Sequence, residues 1–372
     1  MAYSRRTLRV REHFDWPLFL AIVAIAIVGL VNLYSATSPY IDDARRSGLA
    51  DIYVTQVYWL VVGGLMGILV AIIDYRNFER LAYIAYGIGI FTLVLVFVLA
   101  SDVRGAARWI RLGSFAFQPS EFMKIAVILA VARFLSEDPK TEARTLVDLI
   151  PAMLLFLAPA VLVMMQPDFG TSTIYALVVA CMLSMARIRL RSVLVLISAG
   201  IGILPILWFY VLLDYQKSRV LSFINPEADL DDTGWHAFQS QTAIGNGGIW
   251  GSGFREGTQN QFGFLPDQFS DFPFSVFAED WGFFGCLGLL SIYCFVCIWS
   301  IKIASMAKDR FGAAVAIGVG AMFFWHTVFN LGMVLGVLPV VGITLPLFSY
   351  GGSSVMTVLM GFGLLMNVSM RR

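Results

Sequence analysis

Ten stretches of nearly unbroken apolar residues divide the chain, at approximately 16–34, 53–73, 81–100, 118–136, 147–165, 171–186, 192–213, 272–301, 311–335 and 345–368. A helix needs about 20 apolar residues to cross a bilayer, and all but the short run at 171–186 come close to or exceed that length. The runs are continuous rather than alternating, which excludes a membrane β-barrel. The pattern predicts an all-α, polytopic integral membrane protein with about ten transmembrane helices, residues 1–372 forming one membrane domain. Run 272–301 is longer than one crossing needs, so tilt or an extension beyond the bilayer is expected.

Charge orients these spans. An even number puts both termini on one side. Of the 26 Lys and Arg residues, 16 fall on that side, 8 fall opposite, and Lys124 and Arg133 lie within a span. The positive-inside rule then places both termini in the cytoplasm. The outer side carries the irregular segments: a loop at 101–117, a tight turn at Gln166–Gly170, a large extracytoplasmic loop at 214–271 and a Gly/Pro-rich stretch at 336–354. The large loop sets Trp235, Phe238, Trp250, Phe254, Phe262, Phe264 and Phe269 among glycines, which predicts a folded cap lying on the membrane. An amphipathic segment near 235–244 is its candidate lid.

Composition narrows the class. Hydrophobic residues make up 58% and charged residues 14%, against about 25% charged in soluble domains, and mean hydropathy is +0.77. A cytosolic enzyme, a disordered chain and a nucleic-acid binder are excluded. A net charge of +1 gives no polyanion signal. Cys181, Cys286, Cys294 and Cys297 fall inside apolar runs. The Cys294/Cys297 pair lacks the second pair a metal site needs, so buried, inert thiols are expected. His13, His236 and His326 have no partner at metal-ligand spacing.

Chemistry gathers at the outer ends of the spans. In Gln118–Lys124, Glu121 and Lys124 share a helix face, and Lys124 lies about 9 Å below Gln118. An ammonium at that depth costs several kcal/mol unless it is paired or faces water. Glu121–Lys124 is either structural glue or part of a functional site. Asp271 follows the long loop, where both it and Ser270 could cap the next helix or Asp271 could serve as a base. Glu279 is eight residues further, about 12 Å deeper, at the level of Lys124, and a Glu279–Lys124 pair is expected. Asp168 sits in the Gln166–Ser172 turn, with capping chemistry of its own. Arg108, beside Trp109, is either an interfacial anchor or a phosphate ligand.

Taken together, Gly105–Ile110, Gln118–Glu121 with Lys124, and Gln166–Thr171 resemble the SEDS family (RodA, FtsW, SpoVE). So do Gln239–Gly253, Gly257–Gln259, Leu265–Asp267, Ser270–Phe272 and Ser349–Ser354. The match covers almost the whole chain in order. Gly257–Gln259 and the short N-terminal arm look more like the RodA branch. The resemblance implies a fold similar to lipid-dependent, GT-C-like glycosyltransferases. It implies a peptidoglycan glycosyltransferase that polymerises lipid II outside the membrane during cell elongation. A class B penicillin-binding protein and other elongation-complex membrane proteins would be its partners. The family's essential acidic residue falls on Asp271, the candidate base. Arg108, Glu121, Lys124 and Asp168 match other functional positions; Arg108 and Lys124 are the candidate pyrophosphate ligands, with Glu121, Asp168 and Glu279 as supporting residues. A leaving pyrophosphate leaves room for a divalent cation (Mg or Mn). The sequence departs from the family at Asp267 and Ser270, mildly, and at Asp280 and Trp281, where the bulk of Trp281 is expected to reshape the cavity near Glu279. The rival classes are a lipid II flippase, which should hold its site near the midplane, and a non-catalytic scaffold for the penicillin-binding protein.

Overall fold

The apolar runs form helices close to where the sequence places them. The computed structural model describes residues 14–41, 51–99, 108–112, 115–138, 142–224, 233–265 and 267–372. The basic N-terminal arm with His13, together with Arg45, Arg46, Gly105–Ala107, Lys140 and Pro266, lies outside the described residues. Ten helices match the ten expected runs: α1 (Trp16–Ile41), α2 (Ile52–Ile72), α3 (Tyr75–Leu99), α4 (Pro119–Glu137), α5 (Leu146–Met165), α6 (Phe169–Leu183) and α7 (Leu190–Ile206) precede the long loop. Within that loop lie α8 (Asp214–Ile224), α9 (Thr233–Gly247) and α10 (Thr258–Gln261), and after it come α11 (Pro273–Met306), α12 (Arg310–Val334) and α13 (Gly352–Met370). Eight of these helices are long and apolar enough to cross a membrane. The two remaining expected spans are α4, which carries Glu121, Lys124, Arg133 and Glu137, and α6, which is 15 residues long. The chain is an integral membrane protein.

Position in the bundle follows side-chain character. Helix α4 is buried almost continuously from Pro119 to Ala132, and α12 and α13 are largely buried beside it. Gly63 and Gly67 of α2 lie against Met356 and Leu359 of α13, too close for a Cβ, the small-residue contact that brings membrane helices together. Helix α7 is exposed along most of its length. Pro205 removes a donor there, and the helix continues as a π turn over Leu207–Val211.

Several boundaries differ from the sequence pattern. Part of the 101–117 loop is a two-stranded antiparallel sheet, β1 (Ile110–Leu112) with β2 (Phe115–Phe117). The last span begins at Gly352 rather than 345, because Leu345–Tyr350 is a turn with Leu347 at φ 61° and the Ser349 hydroxyl accepting from Leu345 N at 2.8 Å. Cys294 is exposed on the bundle surface and the other three thiols are half-buried, all free, so the expected burial does not hold.

The over-long run is explained by a break. Gly282 in α11 has φ 63° and ψ −162°, a conformation L side chains rarely adopt. The break releases backbone groups that must find partners in a low-dielectric setting. The glycine run after α9 supplies them. Ser252 N donates to Glu279 O at 2.8 Å, Gly253 N to Asp280 O at 3.2 Å, and Phe283 N to Gly248 O at 2.9 Å. The loop is also bound to α1: Asn260 donates to Ser35 O, Gln268 to Ala36 O and Asn32 to Pro273 O, each near 2.9 Å, and the Ser35 hydroxyl bonds the Asp280 carboxylate. The aromatic cap is therefore a folded layer held to the bundle.

A Cβ at Gly282 would also strike the Gly251 backbone, whereas one at Gly288 meets nothing within 4 Å. Gly282→Ala should lower stability by about 2 kcal/mol or more, read as a fall in the thermal unfolding midpoint in detergent, while Gly288→Ala leaves it unchanged.

Candidate functional site

The site is built around the ammonium of Lys124. Pro119 opens α4, its missing N–H costing nothing at that position, and the helix carries Glu121 and Lys124 to one face. Lys124 is 3% exposed, and its Nζ lies 2.8 Å from Glu121 Oε1 and 2.9 Å from His326 Nε2. An ammonium only donates, so Nε2 accepts and the imidazole proton sits on Nδ1. That nitrogen faces Thr344 O at 3.3 Å, the acceptor a neutral Nδ1–H requires. Glu121 Oε2 accepts from no group among the described residues, so one carboxylate oxygen remains available.

His326 carries no ligand spacing in sequence, and sequence reasoning passed over it. Its signal was position: a polar residue in the middle of an apolar helix. Asn330 stands one turn further along α12. Its Nδ2 donates to Asp271 O at 3.0 Å and to Ile343 O at 2.8 Å. Two residues about 6 Å apart along one helix thus hold Lys124 and the Asp271 backbone.

The segment between α12 and α13 threads through the same place. A Cβ built on Gly342 would lie 3.6 Å from Asp271 Oδ2, and one on Gly170 would lie 3.1 Å from Val341 O. The Thr344 and Ser354 hydroxyls meet at 2.8 Å. Asp271 is half-buried. It is not the helix cap: Phe272 holds that position, with no side-chain cap, and Ser270 does not fill the role either. The chain turns at Asp267, whose carbonyl accepts from Ser270 N and Asp271 N at 3.1 Å each.

On the other flank Asp168 caps α6, accepting from Thr171 N at 3.1 Å and Thr171 Oγ1 at 3.0 Å. It also faces Gln118 Nε2 at 3.5 Å and Arg108 Nη1 at 3.9 Å. Arg108 donates from Nε to Gln166 O at 3.1 Å and from Nη2 to Pro167 O. Its side chain is 26% exposed, so Arg108 is the cation that opens outward and Lys124 the one sealed beneath.

Glu279 does not join this cluster. The expected Glu279–Lys124 pair is replaced by Glu121 and His326. Glu279 is fully buried and accepts from Gln259 N at 2.9 Å, Asn260 N at 3.3 Å and Thr258 Oγ1 at 3.3 Å. It closes the N-terminus of α10, where a carboxylate satisfies amides the helix leaves free. Gly257 lies directly against it, with no room for a Cβ, which accounts for the Gly257–Thr258–Gln259 motif. Trp281 is the bulky residue expected to reshape the cavity near Glu279. It is 44% exposed and stacks on Phe277 at 6.2 Å. Among the described residues no three His, Cys, Asp or Glu side chains converge to hold a metal ion.

Removing one partner from a buried ion pair leaves an uncompensated charge, which costs about 3–5 kcal/mol. Glu121→Gln should therefore lower the unfolding midpoint sharply. The double variant Glu121→Gln/Lys124→Met should recover most of the loss, since no charge is left to solvate. Thermal unfolding of the three proteins in one detergent checks both.

The chain has counterparts in sequence and overall fold among known proteins. A peptidoglycan glycosyltransferase MrdB of Escherichia coli is 36% identical over 99% of this chain and 97% of its own. A protein of Geobacter sulfurreducens named "Probable peptidoglycan glycosyltransferase FtsW" is 35% identical over 97% of this chain and 96% of its own. A solved structure described as "Structural coordination of polymerization and crosslinking by a peptidoglycan synthase complex" superposes with a TM-score of 0.81 at 32% identity, covering 96% of this chain and 97% of that one. The family model for FtsW, RodA and SpoVE, described as "Cell cycle protein", matches residues 16–372, and the chain belongs to that family.

Proposed function

We propose that this protein is a peptidoglycan glycosyltransferase that polymerises lipid II into glycan strands on the outer face of the cytoplasmic membrane. The observation that carries this reading is the sealed Lys124–Glu121–His326 cluster with Asp271 and Arg108 set around it at one end of the bundle, in a chain whose relatives bear that activity in their names. Both termini are assigned to the cytoplasm, on the 16-to-8 distribution of basic residues. The elongation role rests on the Gly257–Thr258–Gln259 motif. A class B penicillin-binding protein is the proposed partner, alongside other elongation-complex membrane proteins, in keeping with the description of the similar complex.

The reaction joins two polyprenyl-pyrophosphate-linked sugars. A hydroxyl oxygen of the acceptor attacks the donor's anomeric carbon, the bond from that carbon to pyrophosphate breaks, and the hydroxyl proton passes to Asp271. Attack from the opposite face inverts the configuration. Arg108 meets the departing pyrophosphate with its partly exposed guanidinium, in which Nη1 is the nitrogen that does not donate to the Gln166 or Pro167 carbonyl. Lys124, with one N–H left after Glu121 and His326, adds charge from below in a medium where it counts for more than in water. Asp168 holds Arg108, and Glu279 holds the cap in place. A divalent cation, Mg or Mn, would be held by the pyrophosphate itself and would add positive charge beside these residues.

A flippase is disfavoured because Asp168 and Asp271 lie at helix starts and Lys124 within two turns of one, rather than at the midplane. A scaffold would tolerate exchanging Glu121 and Lys124. Asp271→Asn should keep expression and membrane insertion while polymerisation of purified lipid II falls by about 100- to 10,000-fold, the usual range for losing a general base. Normal strand synthesis by that variant removes Asp271 as base. No synthesis by the wild type, with the partner present, removes the glycosyltransferase reading.

A further inference from the structure

A cavity of about 300 Å³ lies at the end of the bundle away from the candidate site. Leu135 on its wall is eleven residues beyond Lys124 on α4, about 16 Å along the helix. Arg310, the first residue of α12, lies sixteen residues before His326, about 24 Å away. Three helices end around it: α4 at Glu137, α6 at Leu183 and α12 at Arg310. The cavity therefore sits at the level where spans meet water.

Three arginines line it, Arg144, Arg187 and Arg310, with Glu142 as the carboxylate on the wall. Arg144 is the anchor. It is 6% exposed, and its backbone pairs with the segment before α7, Arg144 N donating to Arg187 O at 2.6 Å and Arg189 N to Arg144 O at 3.0 Å. Its Nε donates to Asp138 Oδ2 at 2.9 Å. Its two terminal nitrogens, and the guanidinium of Arg187, donate to no group among the described residues. Among the described residues Arg310 donates from Nη1 alone, to Asp138 O at 3.3 Å. One buried, half-used guanidinium with two exposed ones at the rim of the same cavity can receive an oxyanion with several acceptor oxygens, which is the phosphate pattern. The remaining wall is apolar, with Leu135 buried and Met185 exposed on the outer surface of the bundle. A purely soluble anion has no use for that side, whereas an acyl chain does.

We propose that this cavity binds a phosphate group carried by an anionic phospholipid, the headgroup held by Arg144, Arg187 and Arg310 and the chains leaving past Met185. Basic pockets between membrane helices on the cytoplasmic side recognise such headgroups. The site is independent of the chemistry at Asp271.

The test is native mass spectrometry of the full-length protein, released from detergent after exchange with equimolar phosphatidylglycerol and phosphatidylcholine. Wild type should retain phosphatidylglycerol preferentially. Arg187→Gln/Arg310→Gln changes two exposed side chains and spares buried Arg144. It should reduce that preference roughly 25-fold, about five-fold for each charge near the surface. Arg191→Gln, on an exposed residue outside the cavity wall, should change nothing. Equal retention by wild type and the double variant overturns the proposal. Inorganic phosphate without lipid separates the two sources: if it raises the unfolding midpoint of delipidated wild type as far as phosphatidylglycerol does, the ligand is free phosphate and the lipid assignment falls.

Discussion

One ammonium group inside the bundle constrains much of what surrounds it. Lys124 is placed by helix periodicity at a depth where an unpaired charge is untenable. Glu121 neutralises it from the same face of α4, and His326 accepts a second of its three N–H donors from α12. Because His326 must then carry its proton on Nδ1, it needs a backbone acceptor, and Thr344 provides it. A single buried charge thereby fixes the approach of α4 to α12 and the path of the chain after α12.

That path matters for the other half of the site. Residues 341–344 touch the Gly170 turn, the Asp271 carboxylate, Asn330 and His326 in succession. An irregular segment can exist inside a membrane bundle only if its backbone groups are satisfied by protein, and α12 satisfies two of its carbonyls. The polar residues of α12 are therefore both a structural necessity and the means of bringing Asp271 near Lys124. The same accounting governs the cap, where the break at Gly282 is closed by the glycine run of the long loop and Glu279 closes α10. The carboxylates differ in what they bind: Glu279 accepts from two amides and the Thr258 hydroxyl, whereas Glu121 keeps one oxygen uncommitted among the described residues and Asp271 stands half-exposed.

The bundle also has two chemically distinct ends. One gathers Arg108, Asp168 and Asp271. The other gathers arginines around a cavity at the ends of α4, α6 and α12. Helix α4 joins them, with Lys124 toward one end and Leu135 at the other.

The sequence alone determined the class, the helices and most of the site's members. Long apolar runs can be satisfied only by helices in a bilayer, and sparse charges in such runs stand out because each is costly. Glu121 and Lys124 were legible for that reason, while Arg108, Asp168 and Asp271, which lie in loops and turns, stood out through their motifs and the family resemblance those carry. Pairing was not. Residues three apart on one helix are bound to meet, so Glu121–Lys124 followed from spacing, but whether Glu279 or His326 completes the contact depends on how α11 and α12 pack. Depth along a helix put Glu279 level with Lys124, while the break at Gly282 and the close approach of Gly257 turned it to α10 instead. Nothing local marked His326 and Asn330 as the residues that join the two halves, because their partners are carbonyls of a segment distant in sequence, and only tertiary packing decides which buried polar groups meet.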